Sequence, residues 1–235
     1  MKLFSYVLRF DDGAAPNPFW GYCTLTICKP VIRRTAKKGD WVIGTGSKKG
    51  FKKGERRDFQ DHLVYAMKIS EVVPLEKYDR WCRKNAPDKI PGMKSADFRK
   101  RAGDCIYTFS SAAEPVMRES VHSGISSERD LSGKNALISD CFYYFGENAL
   151  LLPDELLEIV KRNQGHKKIL DEVLINNFVL WLERKKQKNK IYGDPQMPVS
   201  PSAVKRRACA KICAEDDSYD DEIIVRRSKP VCQEE

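Results

Sequence analysis

The sequence has no uninterrupted apolar run approaching the roughly 18 residues that a membrane-spanning helix requires. A short apolar stretch opens the chain, but Arg9 interrupts it before the core of a signal peptide could form. No small-residue cleavage site follows this stretch. We therefore expect a mature cytoplasmic protein that has no membrane partner.

Histidine is scarce, with only three in the chain, and the common catalytic motifs are missing. The run Gly44–Lys48 lacks P-loop spacing, and a loop and a strand rather than a helix are predicted after it. We find no dinucleotide-binding fingerprint, nucleophile elbow or H-E-x-x-H motif. An enzyme would therefore have few general bases. The candidates are Asp140 and His166, whereas we interpret His122 as polar surface.

Paired zinc knuckles are also absent, although the chain contains eight cysteines. Cys23 and Cys28 fall in a predicted strand, and Cys209 and Cys213 fall in a polar C-terminal segment. Neither pair has a second pair or a histidine at zinc-finger spacing. Without a signal peptide we expect free thiols, and we predict no metal and no cofactor.

Positive charge is abundant and unevenly distributed. The whole chain carries a net charge of +9, whereas residues 1–193 hold 35 Lys/Arg and 24 Asp/Glu, which gives them +11. A basic folded region followed by a mixed-charge segment favours a polyanionic partner, with nucleic acid first. A soluble protein that is merely basic remains the alternative.

The most distinctive stretch is Gly39–Lys48. A turn dipeptide, Gly39-Asp40, leads into the apolar strand residues 41–43, after which Gly44 and Gly46 flank Thr45. Glycines at a strand end allow positive φ or close approach of a ligand. Because Ser47 and Lys48 follow directly, this strand end suits an anionic or polar planar ligand.

A basic loop follows and contains six cations: Lys48, Lys49, Lys52, Lys53, Arg56 and Arg57. These side chains are candidate phosphate contacts, although charged loops are often only solvated. The strand predicted at 62–73 would pair antiparallel with residues 41–45 across this loop and form a hairpin.

Aromatic residues cluster in two places. A proline-stiffened loop presents Phe19 and Trp20, which could stack on a base or simply fill the core. The strand predicted at 135–146 places Phe142 and Tyr144 on one face.

Helices are predicted at 74–82, 153–162 and 171–188, and residues 85–133 read as irregular. Residues 194–235 have the composition of a disordered tail, in which 222–225 could form a short docking strand. The resulting class is α+β: a small curved antiparallel or mixed β-barrel with packed helices, which would suit base recognition at its mouth.

Several ordered motifs resemble the nucleotide modification-associated domain family, type two. They are Asn17–Gly21, Gly39–Ser47, Tyr65–Met67, Leu137–Asp140 and Gly165–Lys167. The resemblance covers residues 1–193 and implies a role beside systems that make or handle modified bases in DNA. The layout is also similar to EVE and other PUA-like domains, which cage modified bases at a barrel mouth, although region 85–133 has no counterpart there.

Together these observations predict a module that binds a modified base or nucleotide, in DNA more than in RNA. The base would meet Asn17, Gly44, Thr45, Gly46 and Ser47 and would stack on Phe19, Trp20 or Tyr144. Phosphate would meet the six loop cations and Lys167. Two alternatives stay open: an enzyme acting on modified nucleotides through Asp140 and His166, and an interaction subunit with protein partners in a modification or defence complex.

Overall fold

A computed structural model describes residues 1–110, 114–122, 127–200 and 222–225. Its strands are β1 (Leu3–Val7), β2 (Cys23–Leu25), β3 (Trp41–Thr45), β4 (Gly50–Lys52), β5 (Glu55–Arg57), β6 (His62–Lys68), β7 (Glu71–Pro74), β8 (Tyr107–Thr108), β9 (Val116–Met117), β10 (Asn135–Ser139), β11 (Cys141–Tyr144), β12 (Leu150–Leu151), β13 (His166–Ile169), β14 (Lys190–Ile191) and β15 (Glu222–Ile224). Its α-helices are α1 (Pro30–Thr35), α2 (Leu75–Asn85), α3 (Phe98–Arg101), α4 (Ser127–Ser132) and α5 (Glu172–Lys185).

The larger sheet has the strand order β14-β11-β6-β3-β1-β13-β15, and β12 adds to β6. Strands β1 and β3 run parallel, whereas β3 pairs antiparallel with β6 as the predicted hairpin requires. The α+β class is therefore confirmed. The described strands form an open sheet ending at β14 and β15, so they do not show the predicted PUA/EVE-like barrel closure.

Two predicted long strands each divide between sheets. The strand expected at 62–73 is β6 followed by β7, and the strand expected at 135–146 is β10 followed by β11. β6 pairs with β11 in the larger sheet, and β7 pairs with β10 in a smaller sheet of order β2-β10-β7. The first predicted strand passes from one sheet to the other at Ser70, and the second does so at Asp140. The side chains of these two residues hydrogen-bond to each other.

Both faces of the larger sheet are buried, because successive strand residues point to opposite sides. On one face Leu3, Trp41 and Ile43 belong to a core cluster with α5. The rings of Trp41 and Phe178 meet edge to face with centroids 6.1 Å apart. The opposite face carries Phe4 and Val42 in a second cluster. The predicted helix at 171–188 is thus present and buries one face.

Other predicted segments differ from the structure. The helix expected at 153–162 is a 3₁₀ helix, Asp154–Ile159, and the region expected to be irregular contains α3, β8, β9 and α4. The basic loop contains a small hairpin, β4–β5, that turns at Lys53 and Gly54. Both turn residues have positive φ (51° and 83°), as two-residue hairpin turns prefer.

Residues 194–200, which their composition assigns to the tail, pack against the rest of the chain. Gln196 and Val199 are buried, and Arg101 donates two hydrogen bonds to the Val199 carbonyl at 2.6 and 2.9 Å. Strand β15 pairs parallel with β13, at the place suggested for a docking strand. The remainder of the predicted tail, 201–221 and 226–235, lies outside the described residues.

Among the residues that the structure describes, no helix combines the length and the apolar character needed to cross a membrane.

Candidate functional site

A cleft opens where the parallel strands β1 and β3 end. It has a volume of about 840 Å³, within the usual range for small-molecule sites. Parallel pairing brings the residues after both strands to one edge of the sheet, and the turn before β13 closes the other side. The lining residues are Val7, Arg9, Phe10, Gly46, Ser47, Lys48, Lys49, Phe51, Gln60, Val160, Lys161, Arg162, Asn163, Gln164, Gly165 and Met197.

The charged side chains among the described residues that line the cleft are all cationic. Among the described residues that line it, five are Lys or Arg and none is Asp or Glu. Arg162 is partly neutralised, because its Nη1 lies 2.7 Å from Oδ1 of Asp61 at the rim. Cations lining a concave surface focus a positive potential and attract anionic ligands.

The turn Gly46–Lys49 is held in place by its neighbours. The Gly46 amide donates to the His62 carbonyl at 2.8 Å, and the Ser47 carbonyl accepts from the Phe59 amide at 3.0 Å. A Cβ on Gly46 would lie only 2.5 Å from the Phe59 carbonyl oxygen, so this position requires glycine. The turn therefore presents Ser47, Lys48 and Lys49 to the cleft from a fixed backbone.

The remaining walls are apolar or carry amides. Phe10, Phe51 and Met197 contribute apolar surface, and Asn163 and Gln164 contribute side chains that both donate and accept hydrogen bonds. A cleft with apolar walls, a few amides and cations fits a planar polar group attached to an anion.

Comparison with protein-family models matches residues 1–201 to nucleotide modification associated domain 2. The chain belongs to this family. The family description associates the domain with nucleotide modification. No curated protein and no solved structure matches the chain significantly.

Four of the residues predicted to bind ligand line the cleft of this family member: Gly46, Ser47, Lys48 and Lys49. Gly44 and Thr45 do not line it, because both are buried within β3. A Cβ on Gly44 would lie 2.5 Å from the ring of Tyr65, and Thr45 Oγ1 donates to the Tyr6 carbonyl at 3.3 Å. Their role in the structure is to pack the strand that carries the turn.

The predicted stacking residues lie elsewhere. Phe19 is buried in a small core cluster that contains Met93 and Val199. Trp20 adopts a positive φ of 64° and lies under the Arg99 guanidinium, 5.1 Å from the ring centroid. Tyr144 is buried and donates to Oδ1 of Asp11 at 2.6 Å.

Asn17, another predicted base contact, supports a buried lysine. Its Oδ1 accepts from Lys89 Nζ at 2.7 Å, and Thr24 Oγ1 accepts from the same ammonium at 2.9 Å. Burial lowers the pKa of Lys89, while the nearby Asp104 opposes this change. Asn17 therefore joins an internal polar network and does not line the cleft.

The predicted phosphate contacts divide into three groups. Lys48 and Lys49 line the cleft, whereas Lys52, Lys53, Arg56 and Arg57 lie on the β4–β5 hairpin. The hairpin adjoins the cleft through Phe51, which is part of the lining. Lys167 is buried on β13 and donates to the Glu158 carbonyl at 3.0 Å, so its ammonium is already engaged.

Asp140 and His166 do not form one site. Asp140 is exposed beside β11, and His166 is buried on β13. The strands β6, β3 and β1 separate β11 from β13, a distance of roughly 19 Å at the usual strand spacing. The structure therefore does not bring these two catalytic candidates together.

Sequence reasoning missed the cleft residues Arg9, Phe10, Gln60, Met197 and the segment 160–165. Their meeting depends on the parallel pairing of β1 with β3 and on the antiparallel pairing of β1 with β13. One usable signal was present, because residues 2–10 alternate as a strand does, and Arg9 and Phe10 lie at the end of that stretch. Ligands of sheet proteins often bind where such strand ends converge.

Proposed function

We propose that this cleft binds a nucleotide, free or within a nucleic acid, and that the base it recognises is a modified one. The observation that carries the proposal is the cleft itself, with its five Lys/Arg and its lack of Asp or Glu among the described lining residues. Membership of a family associated with nucleotide modification supports the same class of ligand.

In this proposal the two halves of the ligand meet different walls. Lys48, Lys49 and Arg9 contact the phosphate, because ammonium and guanidinium groups form charge-assisted hydrogen bonds with phosphate oxygens. The base lies against Phe10 or Phe51, and Asn163 and Gln164 bind its edge. Amide side chains can satisfy both donors and acceptors on a base edge.

The described cleft residues favour binding over catalysis. They supply ammonium, guanidinium, amide and hydroxyl groups that bind and orient a ligand. DNA is the first partner to test and RNA the second, since the family resemblance concerns modified bases in DNA. The predicted likeness to the base-caging EVE and PUA-like domains remains a prediction.

The test measures affinity by calorimetry for nucleoside monophosphates and short single-stranded DNA and RNA, each with unmodified and modified bases. The Lys48→Ala, Lys49→Ala double variant should bind at least about tenfold more weakly, since losing even one charge-assisted contact costs about 1.4 kcal/mol or more. Phe51→Ala should reduce discrimination between modified and unmodified bases more than it reduces phosphate binding.

The matched control is Lys77→Ala, Lys84→Ala, which removes the same charge from the exposed face of α2. This control should bind like the wild type, apart from a small loss at low salt. If the two double variants lose affinity equally, the binding is diffuse electrostatic attraction and the cleft is not its site.

A further inference from the structure

A second group of reactive side chains lies away from the cleft. Cys28, His122 and Asp130 are all buried, and one potential ligand atom from each lies within 4.8 Å of those from the other two. None of the three lines the cleft. They come from three separate segments: the turn between β2 and α1, the segment 118–122, and helix α4.

His122 and Asp130 form the closest pair, with Nε2 and Oδ2 2.6 Å apart. This burial corrects the interpretation of His122 as polar surface, since its side chain is 0% exposed. Desolvation raises the pKa of Asp130, but contacts with His122, the Arg33 charge and the Cys28 amide outweigh it, and the pKa falls below its ordinary value.

The surroundings hold the thiol and the carboxylate in fixed positions. The Cys28 amide donates to Oδ1 of Asp130 at 2.8 Å, which leaves Oδ2 directed at His122. The buried Arg33 donates to the Cys28 carbonyl at 2.8 Å and also hydrogen-bonds the Asp130 carbonyl. Such outer contacts orient metal ligands in known sites.

Cys28 also has an unusual backbone. Its φ is +57° and that of Lys29 is +41°, immediately before Pro30 opens α1. Consecutive non-glycine residues in the left-handed region are strained, and such strain concentrates at functional sites. The turn places the Cys28 thiol close to the other two ligand groups, because the ligand atoms of all three residues lie within 4.8 Å of one another.

We propose that Cys28, His122 and Asp130 bind a Zn²⁺ ion. Thiolate, imidazole and carboxylate are the ligand types that zinc takes in proteins, and this mixed set suits zinc better than the oxygen-preferring Mg²⁺ or Ca²⁺. Binding releases to solvent the thiol proton of Cys28 and the proton that His122 Nε2 shares with Asp130 Oδ2, because both ligand atoms must be deprotonated. It joins the turn that holds Cys28 to the segments that hold His122 and Asp130. A fourth coordination position remains for water or another ligand.

The geometry requires one adjustment. Atoms bound to one tetrahedral Zn²⁺ lie roughly 3–4 Å apart, so the 2.6 Å contact between His122 and Asp130 must lengthen by about 1 Å.

The experiment uses the full chain with Cys209, Cys213 and Cys232 changed to Ser, so that they cannot bind metal on their own. After exposure to Zn²⁺ and dialysis, elemental analysis should find about one Zn²⁺ per chain, as one coordination site requires. Cys28→Ser and His122→Asn should each lose most of this zinc. Cys141→Ser, which removes a half-buried free cysteine on β11, should keep it.

Cobalt substitution gives a readout that does not depend on the variants folding. Co²⁺ bound by the parent chain should show a thiolate-to-cobalt charge-transfer band, which Cys141→Ser retains. A parent chain that retains no zinc, or that binds cobalt without a thiolate band, would overturn the proposal. Equal zinc content in the parent and in folded Cys28→Ser would do the same.

Discussion

Asp11 connects the interior of the sheet to the rim of the cleft. Its carboxylate accepts from the Tyr144 hydroxyl at 2.6 Å and from the Gln196 amide at 3.2 Å. Its backbone carbonyl accepts from the amide of Met197, a cleft residue, at 2.8 Å. Burial raises the pKa of Asp11 to about 7, although both hydrogen bonds to the carboxylate lower it.

This raised pKa predicts a pH-dependent stability. Between about pH 4 and pH 7 the folded chain holds a proton on Asp11 that the unfolded chain releases, so the free energy of unfolding falls as pH rises. The contribution is complete below about pH 4 and is lost as pH passes through about 7. At 1.36 kcal/mol per pH unit its full size is roughly 4 kcal/mol.

Urea unfolding of the wild type and Asp11→Asn from pH 4.5 to 8 measures this contribution. The substitution should flatten the decline, because its side chain does not titrate. Asp154→Asn, at an exposed position, should leave the decline unchanged. Identical pH profiles for the wild type and Asp11→Asn would contradict the assigned pKa.

At the scale of elements, the junction between the two sheets depends on Ser139. This buried residue sits where β10 passes into β11. Its hydroxyl donates to the Lys68 carbonyl at 2.6 Å and accepts from the Cys141 amide at 3.1 Å. Ser139 thus links the end of β6 to the start of β11 by hydrogen bonds. The adjacent Asp140 is exposed.

Ser139→Ala should therefore lower the free energy of unfolding by about 1–3 kcal/mol, since it removes hydrogen bonds to two partly buried backbone groups, the Lys68 carbonyl and the Cys141 amide. Asp140→Ala, at the exposed side of the same junction, should cost under about 1 kcal/mol. Denaturant unfolding compares the two variants. Loss of ligand binding or turnover in a folded Asp140→Ala would instead restore a functional role for that carboxylate.

At the scale of the whole molecule, the features that could be predicted from the sequence are those that short stretches of residues determine. Alternation and a turn signal indicated the β3–β6 hairpin, apolar spacing indicated α5, and glycines at a strand end indicated the turn that lines the cleft. The other cleft wall was not predictable locally, because its position depends on pairing β1 with β13, some 160 residues away. The aromatic loop showed no pattern that separates stacking from packing, and Phe19 packs.

The prediction that His122 lies on the surface was wrong for a related reason. A histidine in an irregular stretch reads as surface, and its burial depends on a partner, Asp130, that is itself a charged residue in a short helix. The division of long strands between two sheets was likewise hidden, because a bend at Ser70 or Asp140 does not interrupt the apolar alternation that identifies a strand.

The distribution of charge over the whole molecule separates two kinds of ligand. The cleft cations can contact a single nucleotide, whereas the β4–β5 hairpin extends the positive surface beyond the cleft through Phe51. A strand of nucleic acid would contact both regions, and a free nucleotide would contact the cleft alone. The salt dependence of binding distinguishes these cases, because each phosphate contact adds to its slope.

Lys52→Gln, Lys53→Gln, Arg56→Gln removes three hairpin cations and leaves the Arg57–Glu55 pair intact. If the ligand is a nucleic acid, the slope of log K against log salt for single-stranded DNA should fall in magnitude by about 2. Mononucleotide affinity should stay within about twofold of the wild type, because an electrostatic change outside the cleft is largely screened by salt. An unchanged slope for the oligonucleotide, beside a cleft variant that loses mononucleotide binding, would identify the free nucleotide as the ligand.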